Sequence, residues 1–186
     1  SQYKKIKKLL AKKKIYFSTN FVLRNHPKFK KIYDIIYKKR LGKIYHIEGD
    51  YNYGRLEKLI HGWRGKIPFY SVTQGGGIHI VDLMIWLTKS LPRDVFAIGN
   101  KFSTSRSSFR YVDNVTSLIT FANGVTAKVS SNFGSVTPHD HQMRIYCTKG
   151  SIILSNNELN LFTSRDPKKK LIKMRFKKGR NYKSKI

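Results

Sequence analysis

The 186-residue chain carries 38 Lys and Arg against 10 Asp and Glu, a formal net charge of +28, on a background that is 40% hydrophobic and 13% aromatic. That apolar share excludes a disordered polyelectrolyte and suffices for one sizeable core, or for one domain with a fragment of a second. The single cysteine, Cys147, excludes an intrachain disulfide, and no charge-free apolar run reaches the roughly 18 residues a membrane helix needs.

With no signal-peptide pattern at the N-terminus, a soluble cytoplasmic protein is the expectation. The positive field would attract nucleic acid or another polyanion. It is mostly Lys, however, spread from Lys4 to Lys185 rather than gathered in one stripe, which an AT-rich coding composition would also produce.

Taken in order, residues 3–14 place Tyr3, Ile6, Leu9 and Leu10 on one stripe of a Lys-coated helix, and Ile15-Tyr16-Phe17 reads as a short buried strand, the end of an αβ unit whose earlier members are missing. Pro27 suits the first turn of the next helix, with Asn25 or His26 as its cap. That helix is expected to run to about Arg40 with Phe29, Ile32, Tyr33, Ile35 and Ile36 inward, and Gly42 ends it. Residues 43–53 alternate as a long strand, with Ile44, His46 and Glu48 on one face and Tyr45, Ile47, Gly49 and Tyr51 on the other.

Residues 54–74 show no clear period and carry Gly62-Trp63-Arg64-Gly65, so a ligand-contacting loop is expected, an irregular arm being the alternative. Gly75, Gly76 and Gly77 then lead into an apolar helix ending near Pro92. The glycines can take positive φ or let another group come close. His79 and Asp82, three apart, share a helix face, as a satisfied core pair or as part of a site. From residue 94 onward short strands follow: Val95–Lys101, the hairpin arms Val115–Phe121 and Val125–Ser131 around Ala122-Asn123-Gly124, then Met143–Cys147, Ser151–Leu154 and Leu159–Phe162, with Leu171, Ile172, Met174 and Phe176 as a last edge strand. Helices and a loop followed by antiparallel strands predict an α+β domain, an open, mainly antiparallel sheet with helices packed on one face and the other face free for a partner subunit.

Several chemistries can be weighed on these residues. The three glycines lack the Gly-x-Gly-x-x-Gly spacing of a nucleotide loop and follow no strand. His139 and His141 share one side of a strand, but no third metal ligand is placed. Cys147 falls inside a strand, where a thiol is inert. His79 suits general acid–base work, with Asp82 able to orient it. Nucleic-acid binding has charge and aromatics in its favour but no recognisable motif.

Together the residues Asn20–Pro27, Leu41–Ile44, Gly62-Trp63-Arg64, Gly75–Asp82 with Trp86-Leu87, and Phe121–Gly124 resemble the C-terminal domain of the glucose-fructose oxidoreductase and inositol dehydrogenase family (Gfo/Idh/MocA). The resemblance covers residues 3 to about 162. It implies a two-domain oxidoreductase in which an N-terminal Rossmann domain binds NAD or NADP, while the C-terminal domain binds a sugar, cyclitol or nucleotide-sugar and forms a homo-oligomer through its sheet. By the same resemblance His79 is the active-site histidine, and Arg24, Trp63, Arg64 and Asp82 lie near the substrate. Residues 1–20 are then a remnant of the nucleotide-binding domain, 21–165 the substrate and oligomerisation domain, and 166–186 a basic tail. The chain departs from the family pattern at Gly75, where an Asp is common. It also contains neither Gly-x-Gly-x-x-Gly nor Glu-Lys-Pro, so it is not expected to turn over alone and would need those parts from elsewhere, for instance a separate nucleotide-binding polypeptide. The alternative from another class is a non-catalytic basic protein binding nucleic acid; a third is a structural homo-oligomer with an idle site.

Overall fold

A computed structural model describes residues 2–38, 41–68, 70–169 and 171–176. Its centre is an eight-stranded sheet built from β1 (Ile44–Asn52), β2 (Pro92–Asn100), β3 (Asn114–Phe121), β4 (Thr126–Asn132), β5 (Asp140–Cys147), β6 (Gly150–Ser155), β7 (Glu158–Phe162) and β8 (Ile172–Arg175). The spatial order is β2-β3-β4-β1-β5-β6-β7-β8, with β1 and β4 parallel and every other pair antiparallel. The predicted α+β class, with its open and mainly antiparallel sheet, is the observed one.

Alternation in β1 does what its sequence requires. Ile47, Gly49 and Tyr51 are buried beneath helix α4 (Ile78–Thr88), while His46, Glu48 and Asp50 lie on the opposite face. A Cβ at Gly49 would fall 2.4 Å from the Ile80 side chain, so α4 sits close against the sheet along this line. Helix α2 (Pro27–Lys38) starts at its proline, and the His26 ring nitrogen Nδ1 accepts the Lys28 amide at 3.3 Å, an N-cap as anticipated. Its apolar face, Phe29, Ile32, Ile35 and Ile36, is buried, and Tyr37 donates to the Leu87 carbonyl at 2.6 Å to tie α2 to α4. The last two residues expected in α2, 39 and 40, lie outside the described residues, as does the basic tail beyond 176. In the β3–β4 hairpin Gly124 takes φ +85°, and Val125, Ala127 and Val129 point inward.

Three local expectations are corrected. Ile15, Tyr16 and Phe17 form no strand and are exposed, because no neighbouring strand among the described residues offers them hydrogen bonds. Residues 54–74 are not one irregular loop. They hold the short helix α3 (Leu56–Ile60), a 3₁₀ turn at Trp63–Lys66 and the start of a long helix. Finally, the three glycines form no loop and take no positive φ: Thr73–Gly77 is a π-helical turn continuous with α4. A side chain on Gly75 would strike the Tyr70 ring, one on Gly76 the Tyr51 ring and one on Gly77 the Ser131 hydroxyl, all within 2.4 Å. The run is glycine because two aromatic rings and the Ser131 hydroxyl press on that turn.

Helix α1 (Gln2–Lys13) buries none of its residues, and its stripe of Tyr3, Ile6 and Leu9 faces solvent. The open face of the sheet is mixed. A cross-strand row runs Phe96, Leu118, Lys128, Glu48, Arg144, Ile153, Asn160, Lys173, apolar and exposed at the β2–β3 end and charged at the centre, where Glu48 holds Arg144 at 3.0 Å and Lys128 at 3.6 Å.

Candidate functional site

The long helix begins with a reciprocal cap. The Gln74 amide donates to the Ser71 hydroxyl at 3.3 Å, and the Ser71 amide to the Gln74 side-chain carbonyl at 3.5 Å. Within the π turn the Ile78 amide reaches back to the Thr73 carbonyl, five residues earlier. A π turn widens the helix by one residue per turn and recurs at functional positions. Here it sets the phase with which His79 and Asp82 leave α4.

Their spacing suggested a His–Asp pair, but Asp82 is held by another residue. Arg24, on the 3₁₀ turn Val22–Asn25, grips it bidentately, Nε to Oδ2 at 2.7 Å and Nη2 to Oδ1 at 2.5 Å, and Asp82 is only 6% exposed. With both oxygens engaged by the guanidinium, Asp82 acts on His79 through its charge alone. The bridge also keeps the Arg24 guanidinium firmly protonated, chiefly through the hydrogen bonds to Asp82.

His79 is therefore bare. Its Nδ1 is shut off from solvent with no hydrogen-bond partner, and no protein group among the described residues bonds its Nε2, although the side chain keeps partial exposure. Burial pushes its pKa below the ordinary value, and the nearby Asp82 charge offsets part of that. The ring rests between aromatic neighbours, edge-on to Phe21 and stacked with Tyr51, each 6.3 Å away between centroids. A neutral imidazole with an unengaged nitrogen can accept a proton near pH 7.

Tyr51 organises the rest. It faces His141 directly across the β1–β5 pairing, and its ring meets those of His139, His141 and Tyr53 at 5.4, 5.1 and 6.2 Å. His139 Nδ1 lies 3.1 Å from both the Asn52 and Tyr53 carbonyl oxygens, two acceptors, so that nitrogen carries the proton and Nε2 the lone pair. The Tyr51 hydroxyl is driven well above its usual range, first by burial and then by Tyr53 and Tyr70. None of these residues stood out in the sequence as part of one site, because pairing rather than spacing brings them together.

Trp63 and Arg64 sit on the 3₁₀ turn after α3, with the guanidinium 4.6 Å from the indole centroid and Trp63 62% exposed. Burial raises the Tyr70 hydroxyl, and the adjacent Arg64 charge works against that rise. Arg64 also acts on Tyr51. The five expected site residues thus fall into two groups, Arg24–Asp82 beside His79 and Trp63–Arg64 beside Tyr70, joined through Tyr51. Lys28, 4% exposed, closes the far side of the histidine cluster, 3.7 Å from Asp140 and 3.3 Å from the Asn157 side chain.

Among the described residues no three His, Cys, Asp or Glu side chains gather to hold a metal ion. Cys147 is buried, and burial lifts its thiol to about 11. Surface hollows of about 450 and 410 Å³ open elsewhere, at the β6–β7 turn and at the C-terminal ends of α2 and α4. In the first, Glu158 is already paired with Arg175 at 3.0 Å; the second offers no carboxylate or imidazole. No helix among the described residues is long and apolar enough to cross a membrane.

The histidine cluster should make the fold acid-labile. Burial lowers the pKa of His26, His79, His139 and His141, the last to about 2 with help from His139 and Lys28. An unfolded histidine titrates near 6.5, so below that pH the unfolded chain holds protons the folded chain refuses, and stability falls by up to about 1.4 kcal/mol per pH unit for each such group. Urea midpoints should be flat above pH 7 and fall steadily from 6.5 to 5. His141→Leu should shallow that fall, and an unchanged slope would remove His141 from the account.

In comparisons with known proteins, residues 29–153 match the family model described as GFO/IDH/MocA C-terminal domain. None of the curated proteins compared with the chain matches it. Among solved structures, an oxidoreductase from Pseudomonas syringae superposes with a TM-score of 0.71 at 16% identity, covering 94% of this chain and 46% of its own. A scyllo-inositol dehydrogenase from Lactobacillus casei, solved with NAD(H) and scyllo-inositol, gives 0.69 at 14% identity over 80% of this chain and 45% of its own. A UDP-N-acetylglucosamine 3-dehydrogenase from Acidithiobacillus ferrooxidans gives 0.65 at 18% identity over 92% and 50%. The chain spans about half the length of these structures.

Proposed function

Because the chain belongs to the Gfo/Idh/MocA family, we propose that it is the substrate-binding domain of an NAD(P)-dependent oxidoreductase acting on a secondary hydroxyl of a sugar or cyclitol, with His79 as the acid–base residue. The observation that carries this reading is the state of His79: neutral, lowered in pKa by burial, and without a protein partner on either nitrogen. A core histidine completes its hydrogen bonds; this one leaves Nε2 for a ligand. In the oxidative direction Nε2 takes the hydroxyl proton as the carbinol carbon becomes a carbonyl, and the Arg24–Asp82 bridge fixes the helix face from which the imidazole projects. The buried carboxylate also stabilises the imidazolium that forms.

The 186 residues contain no Gly-x-Gly-x-x-Gly fingerprint, and the dinucleotide that would accept the hydride would be held chiefly by another domain or polypeptide. The exposed stripe of α1 with Ile15, Tyr16 and Phe17 suits packing against such a domain, consistent with residues 1–20 being part of it. On the open face the exposed Phe96, Ile98 and Leu118 suit association with a second copy.

Co-expression with, or fusion to, a nucleotide-binding domain of the family should give a complex that reduces NAD or NADP in the presence of inositols or aldoses, followed by absorbance of the reduced cofactor. Absence of reduction across such a panel, with both parts folded and associated, would count against the reading.

A further inference from the structure

None of the ten carboxylates in the chain pairs with Arg64. Asp34 pairs with Lys38, Glu48 with Arg144 and Lys128, Asp50 with Lys128, Glu57 with His61, Asp82 with Arg24, Asp94 with Arg93, Asp140 with Lys28 and Glu158 with Arg175. Asp113 accepts from the Thr104 amide and hydroxyl, and Asp166 from the Lys168 amide. Most cations of so basic a chain are therefore unpaired, and in solvent that means nothing.

A shielded cation is different, because removal from water without a counter-charge is costly. Among the described residues the partly or wholly buried cations are Arg24, Lys28, Arg64, Lys101 and Lys128. Arg24, Lys28 and Lys128 hold carboxylates; Arg64 and Lys101 hold none. Of these two, Arg64 stands at the aromatic cluster of the candidate site, its guanidinium 4.6 Å from the Trp63 ring and within hydrogen-bonding reach of the Tyr70 hydroxyl, and the Tyr70 ring in turn lies against Gly75. Arg55, exposed at the start of α3, adds a second cation whose charge acts on Tyr51 and His139, and the exposed Glu57 of the same helix lies 3.1 Å from the His61 ring. A guanidinium has five N–H donors, so one lying over an aromatic face and near a phenol hydroxyl still has donors to spare, and its fork fits two oxygens of a carboxylate or phosphate.

We infer that the sugar taken by this site carries an anionic group, a carboxylate or a phosphate, which Arg64 binds through its in-plane N–H groups while a hydroxyl of the same ring faces His79. The inference rests on the sugar-site reading above and narrows it: a neutral cyclitol would leave Arg64 without a counter-charge.

The test is calorimetric titration of the 186-residue chain, near physiological ionic strength, with D-glucose, D-glucuronate and D-glucose 6-phosphate, and with sodium sulfate and a short DNA oligonucleotide as charge controls. At least one acidic sugar should bind ten-fold or more tightly than D-glucose, equivalent to about 1.4 kcal/mol. Arg64→Gln should abolish that preference, Arg64→Lys should keep part of it, and Lys12→Gln on α1 should leave it unchanged. Comparison of the two acids identifies carboxylate or phosphate as the source. Equal binding of glucose and both acids, or a preference untouched by Arg64→Gln, overturns the inference and leaves the sugar site standing. Sulfate or DNA that displaces the acid sugars with an affinity equally sensitive to Lys12→Gln also overturns it, as attraction to net charge alone. If no sugar binds the folded chain, the inference falls together with the reading beneath it.

Discussion

Replacing His79 by Gln in the complete oxidoreductase should lower turnover by about 10²–10⁴-fold, the range typical for loss of a positioned acid–base group. The same substitution should barely move the melting temperature, because neither ring nitrogen holds a protein hydrogen bond to lose. That contrast separates chemistry from packing. A core histidine would give the reverse, a destabilised protein with turnover intact per folded molecule. The pH profile offers a second handle. Burial holds the His79 pKa below 6.5, so the base is already deprotonated at neutral pH, and the acid limb of kcat/KM should fall only below that value. In Asp82→Asn the limb should move further down, since the Asp82 charge favours the protonated ring.

Arg24→Ala is the substitution with the largest expected effect on stability. It strands the Asp82 carboxylate, 6% exposed, without either of its hydrogen bonds. Breaking a fully buried pair from one side costs about 3–5 kcal/mol, and the Arg24 side chain is 39% exposed, so water reaching the vacated space reduces that to about 2–3 kcal/mol. Asp82→Ala should cost less, because the freed guanidinium can turn to solvent. Urea unfolding of both variants measures the asymmetry. Equal and negligible effects would mean that the bridge is not formed in solution.

What could be read from the sequence was what local rules decide. Pro27 with the spacing of Phe29, Ile32 and Ile36 marked α2, alternation marked β1, and Asn123-Gly124 marked the hairpin, because turn chemistry and burial periodicity act within a few residues. Ile15-Tyr16-Phe17 failed for the complementary reason: an apolar run becomes a strand only beside another strand, which no local pattern supplies. The glycines were legible as a place of close approach, but the intruders, Tyr51, Tyr70 and Ser131, come from three other segments.

The candidate site divides along the same line. His79 and Asp82 were visible as a pair on one helix face, yet the partner of Asp82 is Arg24, 58 residues away, and a bidentate guanidinium outcompetes an imidazole one turn along the helix. His139 and His141 showed themselves only as a His-x-His repeat. What makes them neighbours of Tyr51 is the antiparallel register of β5 on β1. Arg64 could be named from the resemblance, but its lack of a carboxylate emerges only when every acidic side chain has been placed.

The central claim is that His79 is a neutral imidazole whose open nitrogen faces bound sugar, and NMR titration of its ring Hε1 proton in the 186-residue chain, assigned with His79→Gln, tests it most directly. The expected result is an apparent pKa below 6.5 in the free protein, and a shift of that resonance, saturating with ligand, when a sugar that binds is added. A pKa at or above 6.5, or a resonance that stays still while the sugar saturates its site, would contradict it.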